Sequence, residues 1–153
     1  MDKLKIYSAY LPYGLIGKRI DSVTCELKGI LEHEIIWDLK LDFDFKEHNN
    51  IWHDVKNLVK PILFSLEDLT KEITIGGETF VPFDELIKIK NVRLRVEKYE
   101  NGDKKLLNIN TFSFSLFDFE YKIIEKLLEW KFNVFNLPEI EYIKVTEENN
   151  PYK

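Results

Sequence analysis

Cysteine is almost missing from this sequence. Cys25 stands alone, so no disulfide can close within one chain. Glycine and proline are scarce, six and five in 153 residues, which excludes a linker, a collagen-like chain or a low-complexity coil. No apolar run approaches the roughly 18–20 residues that a membrane helix needs. The opening stretch, MDKLKIYSAYLPYGL, lacks the apolar core and small-residue cleavage site of a secretory leader, so a cytoplasmic address is expected. A basic excess is missing too. The formal net charge is −5, which argues against a general DNA coat or a membrane-surface protein while leaving room for a local basic patch.

Aromatic residues are plentiful instead. Eleven Phe, seven Tyr and three Trp can bury much surface in a small fold, and 153 residues suit one domain. A single domain over 1–146 with a frayed tail over 147–153 is expected. Leu4, Tyr7 and Leu11 share one face of a short first helix, which Leu11–Pro12–Tyr13–Gly14 breaks. Val23, Cys25 and Leu27 alternate with Thr24, Glu26 and Lys28. After a turn near Leu31–Glu34, Trp37, Leu39, Leu41, Phe43 and Phe45 alternate with Asp38, Lys40, Asp42 and Asp44. Such a strand has one dry and one wet side. Residues 51–64 are ambiguous between strand and helical turn, and Ser65 is positioned to cap a short helix that follows.

Two hairpins come next. Gly76–Gly77 sits between Glu72–Ile75 and Glu78–Pro82 and permits the positive φ angles of a tight turn. Asn101–Gly102, the strongest two-residue hairpin signal, sits between Lys88–Tyr99 and Lys104–Thr111. With Asn-Gly at the turn centre, Leu94 pairs with Ile109, Val96 with Leu107, Arg95 with Asn108 and Arg93 with Asn110. Leu116, Phe119, Ile123, Leu127, Trp130 and Val134 then recur at helical spacing, and Ile124 and Leu128 widen the stripe. Ile140–Val145 reads as a last edge strand. The expected class is α+β: a twisted antiparallel sheet of hairpins packed on one long C-terminal helix near 117–131, with a short N-terminal helix.

The signatures of catalysis are missing. His33, His48 and His53 have neither HExxH nor zinc-finger spacing, and Asp42 and Asp44 have no calcium-loop glycine, so no metal is expected. Cys25 shares its face with Val23 and Leu27 and reads as a buried thiol. There is no GxSxG elbow and no phosphate-binding glycine loop, so no nucleotide cofactor is expected. Asp84–Glu85 and Glu67–Asp68 read as helix-start charges rather than as an acid–base pair. The expectation is a non-enzyme with no catalytic residue and no cofactor.

Two charged features remain. Lys88, Lys90, Arg93, Arg95, Lys98, Lys104 and Lys105 crowd one ribbon of an acidic chain. Arg93, Arg95, Lys98, Lys104, Lys105, Asn108 and Asn110 are the candidate partner contacts, able to grip phosphates or an acidic protein patch. The bland alternative is protection of a sheet edge by charge. A second, acidic patch is expected at Asp38, Asp42 and Asp44, with Glu26 and Glu47 as possible neighbours. It could imitate a nucleic-acid backbone, or it could be a solvated strand face.

Three stretches resemble a family of small uncharacterised proteins carried by phages and prophages of Bacteroidetes. They are Leu11–Leu15 (LPYGL); Lys60–Ile73 (KPILFSLEDLTKEI) with the following GGETFVP; and Lys126–Leu137 (KLLEWKFNVFNL). Phe64–Ser65 stands where Arg-Pro is usual in the family, and Ile87 to Phe114 is longer. The resemblance implies origin rather than mechanism. It leads to the expectation of a phage accessory protein in the bacterial host cytoplasm, binding a host protein or ribonucleoprotein and inhibiting a defence system as anti-CRISPR proteins do. The alternatives are RNA or single-stranded DNA binding by the basic hairpin, and an enzyme with an unrecognised site. No membrane partner is expected.

Overall fold

The computed structural model describes residues 3–31, 34–40, 51–53, 58–89, 94–98, 104–108 and 120–153. The elements along the chain are α1 (Lys3–Tyr10), β1 (Ile16–Arg19), β2 (Thr24–Leu31), β3 (Glu34–Lys40), β4 (Ile51–His53) and β5 (Val59–Leu63). They continue with β6 (Ile73–Ile75), β7 (Glu78–Phe80), α2 (Pro82–Leu86), β8 (Leu94–Lys98), β9 (Lys104–Asn108), α3 (Tyr121–Glu129) and β10 (Ile143–Lys144). Short 3₁₀ turns span Leu11–Tyr13 and Leu66–Thr70. The α+β class holds, and none of the described helices is long and apolar enough to cross a membrane.

The chain divides into two compact units. The first holds residues 1–63 and 135–146, the second 64–134 and 147–153.

The first unit is a six-stranded sheet in the order β10-β5-β1-β2-β3-β4. Neighbours from β5 to β4 run antiparallel, but β10 pairs parallel with β5, so the sheet is mixed. The ambiguity of residues 51–64 resolves into two strands. Pro61 is accommodated inside β5 because β10 pairs only with Ile62 and Leu63, beyond the missing N–H. The alternation of β2 and β3 behaves as expected where described: Cys25, Leu27 and Trp37 are buried while Glu26 and Asp38 are half-buried. Lys28 is an extra residue opposite the step from Trp37 to Ile36, a bulge that re-aims the end of the hairpin.

The helix that packs on the dry face within this unit is α1. Tyr7 meets Trp37 edge to face at 5.6 Å, and Tyr10 meets Phe135 at 5.9 Å. The buried residues of α1 are Ile6, Tyr7 and Tyr10, so its inner face is rotated from the Leu4–Tyr7–Leu11 line. Pro12 and a left-handed Gly14 (φ 65°) end this segment, as the LPYG punctuation required. At the β1–β2 turn Arg19 forks onto Asp21, which holds that carboxyl down at about 2 through side-chain hydrogen bonds.

In the second unit Ser65 caps the 3₁₀ turn by accepting from the Glu67 N–H at 3.3 Å. Gly76 (φ 59°) and Gly77 (φ 82°) turn the β6–β7 hairpin, with Ile75 opposite Glu78. Pro82 opens α2 instead of extending the strand, and Asp84 and Glu85 sit in its first turn. The expected long helix near 117–131 is α3, nine residues over Tyr121–Glu129; residues 111–119 lie outside the described part. It stops because Lys131 takes a left-handed φ of 59°. The Phe132 N–H then reaches the Leu127 carbonyl at 2.8 Å and the Lys131 N–H the Leu128 carbonyl at 2.9 Å, a Schellman closure. Ile123, Leu127 and Leu128 are the buried stripe of α3.

After that stop, Phe64 and Phe132 form a parallel bridge, and their rings lie 5.5 Å apart. Burial holds the Lys131 ammonium below its usual lysine value, with its Nζ 5.3 Å from the centre of the Tyr152 ring. The last seven residues, expected as a frayed tail, make contacts within this unit. The Gly76 N–H donates to the Tyr152 carbonyl at 2.6 Å, Asn150 Nδ2 donates to the Thr74 carbonyl at 2.8 Å, and Tyr152 is 8% exposed.

Two outcomes are expected. A Cβ on Gly17 would stand 2.5 Å from Val59 Cγ1 and 3.0 Å from the Trp37 ring, so Gly17→Ala should cost about 1–3 kcal/mol in urea unfolding. Tyr152→Ala should lower stability by about 3 kcal/mol and expose the C-terminus to carboxypeptidase; unchanged resistance would show that the tail is not anchored there.

Candidate functional site

The basic ribbon is β8 paired antiparallel with β9, a two-stranded sheet of its own among the described residues. Its pairing differs by one residue from the Asn-Gly expectation. Leu94 lies opposite Asn108, Arg95 opposite Leu107, Val96 opposite Leu106, Glu97 opposite Lys105 and Lys98 opposite Lys104. The reason is turn length. A two-residue turn at Asn101–Gly102 would pair Glu100 with Asp103; closing at Lys98 and Lys104 leaves an odd-numbered connection and shifts the ladder by one. A one-residue shift exchanges which residues of the two strands stand side by side.

That shift redraws the proposed contact set. Arg95 and Asn108 are no longer partners: Asn108 is paired with Leu94, which is 9% exposed, and Arg95 with Leu107. Arg95 is exposed, with 66% of its side chain open to solvent, but it does not stand as a lone cation. Its Nε lies 3.1 Å from Glu97 Oε1. An exposed pair of this kind contributes about 0–1 kcal/mol, so it orders the guanidinium without removing it from reach of a partner. Glu97 was missed as part of the site, although its signal was present in LRVEK: residues two apart on a strand share a side. Lys98, Lys104 and Lys105 occupy ribbon positions, whereas Arg93 and Asn110 lie outside the described residues. Lys88 is not in the ribbon; it follows α2 and its Nζ bonds Glu85 at 2.6 Å.

The acidic patch is represented by Asp38. Its register partner on β2 is Glu26, the neighbour the sequence suggested, and Lys28 reaches Glu26 at 3.1 Å. Asp42, Asp44 and Glu47 lie outside the described residues. Asp38 and Glu26 are both half-buried, so this part of the strip is neither fully exposed nor purely acidic.

Chemistry is sparse elsewhere. Cys25 is fully buried and its thiol donates to the Gly17 carbonyl at 3.5 Å, a packing role. Among the described residues no three His, Cys, Asp or Glu side chains converge on a possible metal position. His53 belongs to β4; His33 and His48 lie outside the described part. Trp37 Nε1 is a buried donor without an acceptor among the described residues, a cost of about 1–3 kcal/mol that its packing offsets. No protein-family model matches the chain, and neither a curated protein nor a solved structure does.

The ribbon register is directly checkable. In a Cys25→Ser background, Arg95→Cys with Leu107→Cys should oxidise to a disulfide seen by mass spectrometry, while Arg95→Cys with Asn108→Cys should remain largely reduced. The reverse preference would restore the Asn-Gly register.

Proposed function

We propose that this protein is a non-enzymatic accessory protein of phage or prophage origin. It binds a host bacterial protein or ribonucleoprotein in the cytoplasm and blocks a defence system, as anti-CRISPR proteins do. The observation that carries this reading is the exposed Arg95 on a ribbon that pairs with no other strand among the described residues. Such a ribbon offers a partner a charge and, among the described residues, sheet edges with no further strand on them. Arg95, Lys98, Lys104 and Lys105 are its contact residues within the described chain, and Arg93 and Asn110 extend the set.

The three family-like stretches support the origin. LPYGL supplies the stop after α1; KPILFSLEDLTKEI with GGETFVP supplies β5, the Ser65 cap and the glycine hairpin; KLLEWKFNVFNL supplies the end of α3 and its Schellman closure. All three carry folding instructions rather than reactive groups, which suits a family defined by a scaffold. The second reading, RNA or single-stranded DNA on the same ribbon, loses support from the register. The side-by-side Arg95 and Asn108 that would have gripped a phosphate are not paired.

Tagged protein incubated with host lysate should retain a discrete protein or ribonucleoprotein. The Arg95→Glu/Lys105→Glu variant should lose it. Expression of the wild type should restore phage plaquing on a host carrying the matching defence system, and the variant should not. An empty capture together with unchanged plaquing across a panel of defence systems would end this proposal.

A further inference from the structure

In the first unit, pairing brings together lysines that are far apart in the chain. Lys60 of β5 is opposite Lys18 of β1, Lys18 is opposite Thr24 of β2, and Thr24 is opposite Lys40 of β3. The row crosses four strands at right angles to them. Adjacent strands are about 4.8 Å apart, so the row is about 14 Å long. Lys18 and Lys60 are exposed and stand directly side by side. Like charges in that relation destabilise a sheet.

Nothing among the described residues compensates them. The ion pairs among the described residues of this unit join Arg19 to Asp21 and Lys28 to Glu26, and neither reaches Lys18 or Lys60. Glu26 and Asp38 lie in the next row, opposite Ile16 and Ile51. On the other flank stand Ile20, 80% exposed, and Leu58, 37% exposed. In a chain of net charge −5, Lys18 and Lys60 are thus two neighbouring exposed cations without an ion pair among the described residues.

We propose that this row is a track for the phosphate backbone of a single-stranded nucleic acid. Lys60 and Lys18 set two positive charges side by side, about 4.8 Å apart, in a line that a chain of phosphates can follow. Lysine serves phosphate as a point charge, whereas arginine, the residue that grips carboxylates bidentately, is absent from the row. Thr24 adds a hydroxyl donor of the kind that positions phosphates. The row has no aromatic on which bases could stack, so recognition is of the backbone and independent of sequence. This track lies in the first unit and does not depend on the β8–β9 ribbon of the second.

The probe is a fluorescent oligothymidylate of about 20 nucleotides, followed by anisotropy through a salt series. Two lysines on a single strand give a slope of about −1.4 for log K against log salt, so affinity should fall about sevenfold between about 50 and 200 mM. Lys18→Gln/Lys60→Gln should bring the slope to about zero and weaken low-salt binding at least tenfold. Lys122→Gln, at an exposed lysine of α3 in the second unit, should change neither. The double lysine variant should melt no lower than the wild type, because it removes a repulsion. Four results would overturn the track: no binding at low salt, a slope unmoved by the double substitution, a double variant that melts well below wild type, or displacement by polyglutamate as effective as by unlabelled oligothymidylate at equal charge. The last would assign the row to an acidic protein segment.

Discussion

The first unit depends on one close approach, the seating of the Trp37 indole and Val59 against the bare backbone of Gly17. Only glycine leaves room there. The contact ties together β1, β3 and β5, and Tyr7 of α1 then rests against the same indole. Trp37 is fully buried, and its Nε1 has no acceptor among the described residues. Dispersion and the removal of a large ring from water outweigh that loss. The wet face of the sheet follows from the same constraint: with Trp37 inward, Asp38 and its row neighbours must face the other way.

The second unit uses a different device. A lysine stands where glycine usually reverses a helix, at a strain of roughly 1–2 kcal/mol for an L-residue. The left-handed turn at Lys131 delivers Phe132 to Phe64, and the Phe64 N–H and carbonyl are both taken by the segment after the helix. Tyr152 then packs near Phe64 and under the Lys131 ammonium. Desolvation of Lys131 is the cost of this arrangement, and the ring partly offsets it. The scaffold of each unit is therefore held by aromatic packing, and its exposed charges remain available for recognition.

Local signals in the chain were legible where a residue type has one physical use. Gly76–Gly77 had to be a turn, Ser65 a cap, Pro12 with Gly14 a break, and the alternation around Trp37 a half-wet strand. Longer-range expectations failed where two solutions share one pattern. The apolar spacing over 116–134 fits a long helix as well as a nine-residue helix followed by a buried exit. Asn-Gly fits a two-residue turn as well as part of a longer connection, and the ladder changed by one residue. The tail over 147–153 looked polar enough to fray, yet Asn150 and Tyr152 found partners on β6 and at Gly76.

Sequence alone determined the α+β class, the punctuation of the chain, the burial of Cys25 and the excess of cations around residues 88–105, because each rests on neighbours within a few positions. Only the tertiary structure decided the division into two units, the helix that covers the sheet, the partner of Arg95 and the meeting of Lys18 with Lys60. Those depend on which distant strands pair and in which register. That choice is made by the fit of whole surfaces, which no local pattern contains.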